Sequence, residues 1–163
     1  MSPRAAWRLE SLGFTAVYDY VAGKADWFAR GLPRAGRLAE VPTVGDLARG
    51  DVPTCGPADR VGEVRERVLA AGWDLCVVVN ERRIVLGRLR RRELDGDPGL
   101  LAGAVMEEGP TTYRPDQQAG ETARYLAERK VAGVLVTTSD GALLGLFRRE
   151  DGDRQAAVGG SED

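Results

Sequence analysis

Apolar residues along this chain follow two rhythms, one spaced by three and four and one continuous, and the pair occurs twice in the same order. From Arg60 to Ala71, Val61, Val64, Val68 and Leu69 share one face of a predicted helix, which Gly72 closes. Leu75-Cys76-Val77-Val78-Val79 is then unbroken and largely β-branched, as in a buried strand. A polar turn from Asn80 to Arg83 leads into a second strand, Ile84 to Leu89, and Arg91 to Leu94 begins another helix. Further along, Asp116 to Glu128 predicts a helix and Gly133 to Thr137 a strand. Ser139-Asp140-Gly141 makes a hairpin turn, and Ala142 to Phe147 is the returning strand. Each unit reads strand–helix–strand–strand–helix.

The repetition extends to residue identity. The stretch from Gly109 to Asp151 restates Val52 to Glu93, at an offset of about 57 residues at its start and 58 at its end, which implies a one-residue insertion. Two units are too few for a solenoid, so they are expected to pack on each other as a pseudo-symmetric pair with a ligand cleft between them. Ahead of them, Ser2 caps a helix that begins at Pro3 and ends at Gly13. Phe14 to Tyr20 alternates like a strand, Gly23 to Pro33 holds a short helix, and Arg34 to Glu40 is a connector. This front piece is too small to enclose a core and must dock elsewhere. Thr43 to Ala48 is a short capped helix opening the first repeat, and the residues after Gly152 are expected to be mobile.

Composition narrows the chemistry. At 43% hydrophobic and 29% charged residues, the 163-residue chain has the make-up of a globular protein. Its formal charge of −2 exerts no general pull on nucleic acid or anionic membrane. No apolar run approaches a membrane span and no signal-peptide core follows Met1, so a cytoplasmic protein is expected. Histidine is absent, which excludes a Ser-His-Asp triad, a histidine base and histidine metal ligands. Cys55 and Cys76 both lie in apolar strand-like runs and read as buried structural thiols.

The second repeat resembles a CBS domain. The likeness is carried by Pro110-Thr111-Thr112-Tyr113-Arg114-Pro115-Asp116, by Val134-Leu135-Val136, by Asp140-Gly141, and by Gly145-Leu146-Phe147-Arg148-Arg149-Glu150-Asp151. The first repeat is similar through Val52-Pro53-Thr54, Cys76 to Val79 and Gly87 to Glu93, so the resemblance covers about 42–152 as a tandem pair, or Bateman module. It implies an α/β (α+β) fold and an adenine nucleotide (AMP, ADP or ATP) held between the units. In the family the opening strand contacts the base, and a hydroxyl residue and an acid in the closing motif hold phosphate and ribose.

Carried across, the ligand-binding residues are Thr112, Tyr113, Val134, Arg148 and Asp151, with Thr54, Arg90 and Glu93 as the weaker counterpart. Arg148 and Arg90 stand where the family has a hydroxyl. An arginine there could hold phosphate bidentately, or fill the phosphate pocket. Glu93 is a methylene longer than the usual aspartate and would crowd a ribose. Arg82, Arg83, Arg88, Arg90, Arg91 and Arg92 form a cluster that reads as a solvated strand edge in preference to a polyphosphate or nucleic-acid surface, for no nucleic-acid motif accompanies it.

The front residues Leu12-Gly13-Phe14, Val17-Tyr18-Asp19-Tyr20, Gly23-Lys24-Ala25-Asp26-Trp27 and Gly31-Leu32-Pro33 resemble the C-terminal end of a rhodanese-like domain. The family's catalytic cysteine precedes that point, so no nucleophile is assigned, and Trp7, Trp27 and Tyr18 become docking candidates. The expected organisation is a rhodanese-like element at 1–38, CBS units at 42–98 and 101–152, and a flexible tail at 153–163. The expected role is non-catalytic nucleotide sensing, as a homodimer acting on an unidentified effector. The competing roles are an interaction protein that has lost nucleotide binding and, third, a sulfurtransferase.

Overall fold

The computed structural model describes residues 3–18, 20–36 and 39–159. Helix α1 (Pro3–Ser11) stops at Gly13, whose φ of 94° suits glycine, and its expected Ser2 cap lies outside the described residues. Helix α2 (Gly23–Ala29) stops the same way at Gly31. Phe14 to Tyr18, expected to be a strand, is irregular, and Phe14, Tyr18 and Val21 are exposed. Alternation makes no strand where no neighbour supplies a ladder.

Helix α3 (Val44–Leu47) follows. Its capping box is closed by the Asp46 carboxylate, which accepts both the Thr43 N–H and hydroxyl at 2.8 Å. The first unit is β1 (Thr54–Cys55), α4 (Val61–Ala70), β2 (Leu75–Val79), β3 (Val85–Arg90) and α5 (Arg91–Leu94). Helix α6 (Ala102–Val105) and β4 (Glu107–Glu108) lead to the second unit: β5 (Thr112–Tyr113), α7 (Ala119–Glu128), β6 (Gly133–Thr137), β7 (Leu143–Arg148) and α8 (Arg149–Gly159). The sheets run β1-β2-β3-β4 and β5-β6-β7, each with a parallel first pair and an antiparallel second.

Register corrects the repeat. Thr54 faces Val77 as Thr112 faces Leu135, and Cys76 faces Leu89 as Val134 faces Phe147, so the offset is 58 throughout and nothing is inserted. The hairpin tips of the two sheets meet at the pair Ile84 and Ala142, again 58 apart, where Val85 N–H donates to Gly141 O and Leu143 N–H to Arg83 O.

The elements between the units cross over. Helix α3, expected to open the first repeat, docks on the second: Val44 N–H donates to Gln117 O, Gly45 N–H to Pro115 O, and Val44 is buried with Ala119, Leu126 and Phe147. In return, α6 and β4 complete the first unit. Gly103 N–H donates to Pro57 O, Ala102 joins the core of Val64, Val77 and Leu89, and Glu107 pairs with Arg88. That core also takes in Leu135, Leu143 and Leu146 of the second unit, so apolar burial is continuous between the halves.

Two further expectations change. Leu69, assigned to the buried stripe of α4, is 62% exposed, because Val61, Val64 and Val68 fill the face turned to the sheet. The tail expected to be mobile from 153 is helical to Gly159. Gly152 lets α8 close on α7, since a Cβ there would stand 2.8 Å from Ala123 Cβ and from the Phe147 ring. Gly160 to Asp163 lie outside the described residues.

Candidate ligand-binding site

A groove of about 1130 Å³ runs between the units. The first unit contributes Trp73, Leu75, Arg88 and Arg90 to its wall, and the second Thr111, Tyr113, Val134 and Arg148. Sequence spacing explains the second wall. Tyr113 sits on β5, parallel to β6, and Gly133 at the head of β6 faces Arg148 at the foot of β7, so opening strand and closing motif converge. Among the residues expected to bind ligand, Tyr113, Val134, Arg148 and Arg90 line this groove. Thr112, Thr54, Glu93 and Asp151 do not; Thr111 stands in the groove instead of Thr112, whose side of β5 is exposed.

The two copies are chemically unequal. In the first, the Glu93 carboxylate accepts the Arg90 N–H at 3.0 Å, so it serves to start α5 and is not turned to a ligand. Glu107 on β4 takes Arg88 in a two-point pair at 2.8 and 3.0 Å and approaches Arg90 at 3.3 Å. Hydrogen bonding to Arg88, reinforced by both positive charges, holds the Glu107 carboxyl below the ordinary glutamate range against a smaller desolvation effect. In the second copy, Asp151 stands in the first turn of α8. Its Oδ2 is buried with no hydrogen-bond partner, while Oδ1 lies 3.6 Å from Arg154. A buried acceptor left open is the kind of group a ligand hydroxyl satisfies.

Arg148, at the hydroxyl position, reaches across the groove. Its guanidinium lies 4.5 Å from the Trp73 ring centroid, where Arg49 also lies over the ring at 4.8 Å, and it meets Glu150 at 3.3 Å. Trp73 is only 6% exposed, so one ring of the first unit gathers two cations of the second unit's side. Sequence reasoning missed Trp73 and Arg49. The signal available was a large aromatic directly after the Gly72 helix stop, where the second copy has Val131. Arg49 gave none, for its approach depends on α3 having crossed to the second unit.

A smaller pocket of about 550 Å³ lies where Lys24 of α2 meets Asp116 at 2.9 Å, with Tyr113, Gln117 and Glu121 around it. The two thiols are buried, as read from the sequence. Hydrogen bonding to Cys55, then burial, pushes the Cys76 thiol up. No group of three or more metal-ligating side chains occurs among the described residues, nor does any helix long and apolar enough to cross a membrane.

Two βαββα units facing one groove define a tandem α/β pair. Residues 102–151 match the CBS domain model, and the chain has the fold of CBS-pair structures. The CBS domains of a transcriptional regulator from Streptococcus pneumoniae superpose with a TM-score of 0.64 at 20% identity, over 71% of this chain and 99% of that one. CBSX2, from Arabidopsis thaliana and solved with AMP, gives 0.63 at 22% identity, over 72% and 97%. The cytosolic domain of the Mg2+ channel MgtE, solved with ATP, gives 0.62 at 24% identity, over 69% and 48%. An uncharacterized protein of Methanopyrus kandleri is 22% identical over 117 residues, 67% of this chain; the chain spans 60% of that relative's length.

Proposed function

We propose that this protein is a non-catalytic regulatory CBS pair that senses an adenine nucleotide, AMP, ADP or ATP, in the groove between its units. The observation that carries the reading is the cation-lined groove, whose lining residues Arg149 and Glu150 lead directly to Asp151 with its buried, unpartnered Oδ2. AMP in CBSX2 and ATP in MgtE support it from similar folds. In this reading Tyr113 and Val134 flank the base and Arg148 meets phosphate, while Asp151, which does not line the groove, turns its buried Oδ2 toward the ribose hydroxyls when nucleotide binds. Bound nucleotide favours one relative arrangement of the two halves, and that population shift is the signal passed on. Thr112 supports the opening strand, while Thr54, Arg90 and Glu93 form the lesser site, with Arg90 and Glu93 tied up by Glu107 and by the start of α5.

The units are taken as 42–98 and 101–152. The 1–38 element is read as a rhodanese-like C-terminal element that docks on the pair through α2, where Lys24 meets Asp116. A cytoplasmic homodimer acting on a separate effector protein completes the proposal. Titration calorimetry with AMP, ADP and ATP tests it. Binding that Asp151→Asn abolishes without lowering the melting temperature is expected, because that carboxylate supports no internal hydrogen bond through Oδ2. Flat traces with all three nucleotides refute the reading. They would leave the second role, an interaction protein without a ligand, which the occupation of Arg148 by Trp73 favours.

A further inference from the structure

The two repeat helices end in one and the same motif, and the residue at its left-handed position differs. After α4, Gly72 N–H donates to Leu69 O and Trp73 N–H to Val68 O; after α7, Lys130 N–H donates to Ala127 O and Val131 N–H to Leu126 O. Gly72 has φ 71° and Lys130 φ 56°. Glycine adopts this conformation freely, whereas a side chain there meets the following carbonyl. The first copy therefore uses the comfortable residue and the second keeps a strained one. Strain retained at a groove wall points to a task for the side chain.

Charge identifies the task. Lys130 and its neighbour Arg129 both line the inter-unit groove. The groove's other cations have carboxylate partners: Arg88 and Arg90 share Glu107, Arg91 meets Asp95, Arg148 meets Glu150, and Arg149 meets Asp153. Among the described residues Lys130 has no ion-pair partner, and Arg129 only lies over the Tyr125 ring at 4.6 Å. These two sit beside the phosphate end of the proposed site. Arg149 N–H donates to Ala132 O, two residues after Lys130, and Gly133 faces Arg148.

We infer that Lys130, with Arg129 beside it, is a specificity-determining contact for the outer phosphates of a nucleoside polyphosphate, so that the groove discriminates tri- from monophosphate. This rests on the nucleotide reading above. Two uncompensated cations meet a charge that only the longer phosphate chain carries that far, and such charge-assisted contacts correspond to roughly tenfold or more in affinity.

Calorimetry with AMP and ATP on the full chain and three variants tests it. Wild type binds ATP at least about tenfold tighter than AMP. Lys130→Gly melts at a higher temperature than wild type, because the strain is gone, yet binds AMP and ATP within about twofold of each other. Lys130→Gln loses the preference likewise, and Lys130→Arg keeps it, which a purely structural role for the position would not produce. Equal AMP and ATP affinities in wild type, or an undiminished preference in Lys130→Gly and Lys130→Gln, overturn the inference while the nucleotide reading stands. Absence of binding by either nucleotide overturns both.

Discussion

Gly45 is where the crossed arrangement of α3 is most exposed to test. On local grounds Gly45→Ala should stabilise, since alanine favours a helix over glycine by about 0.5–1 kcal/mol. Packing says the reverse. A Cβ at Gly45 would stand 2.7 Å from Pro115 Cβ and 3.0 Å from Pro115 O, and the backbone there cannot swing aside as a flexible chain end could. Overpacking of this kind costs about 1–3 kcal/mol. Any shift that relieves it lengthens the 3.0 Å hydrogen bond from Gly45 N–H to Pro115 O, a further 0.5–1.5 kcal/mol or so.

After subtraction of the helix gain, Gly45→Ala is expected to destabilise by roughly 0.5–4 kcal/mol. At about 2–4 °C per kcal/mol for a chain of this size, the midpoint falls by several degrees. Gly103→Ala, whose Cβ would meet Pro57 Cβ at 2.9 Å, should behave alike, because it repeats the contact in the other half. Gly120→Ala in α7 is the control. Nothing lies within 4 Å of its Cβ, so it should raise stability by a few tenths of a kcal/mol to about one. Urea unfolding of the three variants decides the matter. A Gly45→Ala protein as stable as Gly120→Ala would refute the docking of α3 on the second unit.

Phe147→Ala, at a side chain with no exposure at the centre of the second core, should cost about 3–5 kcal/mol in denaturant unfolding, and a loss under about 1 would contradict that placement. A double-mutant cycle of Trp73→Leu with Arg148→Gln should give a coupling of about 0.5–1 kcal/mol; strict additivity would mean that the cation over the ring contributes nothing. The Glu107 carboxyl titrates below its unfolded value, so its contribution is present above the ordinary glutamate range and is lost as pH falls through the folded value. Glu107→Gln should therefore flatten the acid limb of the stability–pH curve, by less than about 1 kcal/mol for so exposed a pair, and an unchanged limb would count against the pairing with Arg88.

Elements with a full apolar face were legible in the sequence to within a residue or two. Val61, Val64 and Val68 set α4, the unbroken run set β2 as Leu75–Val79, and Asp140-Gly141 set the second hairpin. The alternation from Phe14 misled because a strand is made by its neighbour. The tail misled because α8 is held by what Gly152 admits and not by its own apolar content. Of the expected ligand residues on strands, Tyr113, Val134, Arg148 and Arg90 reached the groove and Thr54 and Thr112 did not, while Glu93 was drawn off by the N–H it caps. Side chains that meet only after the halves cross, such as Arg49 over Trp73, leave no periodicity to read.

The crossing itself has a consequence for how such a chain could come apart. Each half is finished by a helix that the sequence assigns to the other: Val44–Leu47 covers the second unit and Ala102–Val105 the first. A lone repeat carrying its own leading helix would thus have one open flank and one spare lid, and two such molecules would close each other by trading lids. Cutting the chain between the units should accordingly yield halves that reassemble as a complementing pair and do not fold as independent pieces.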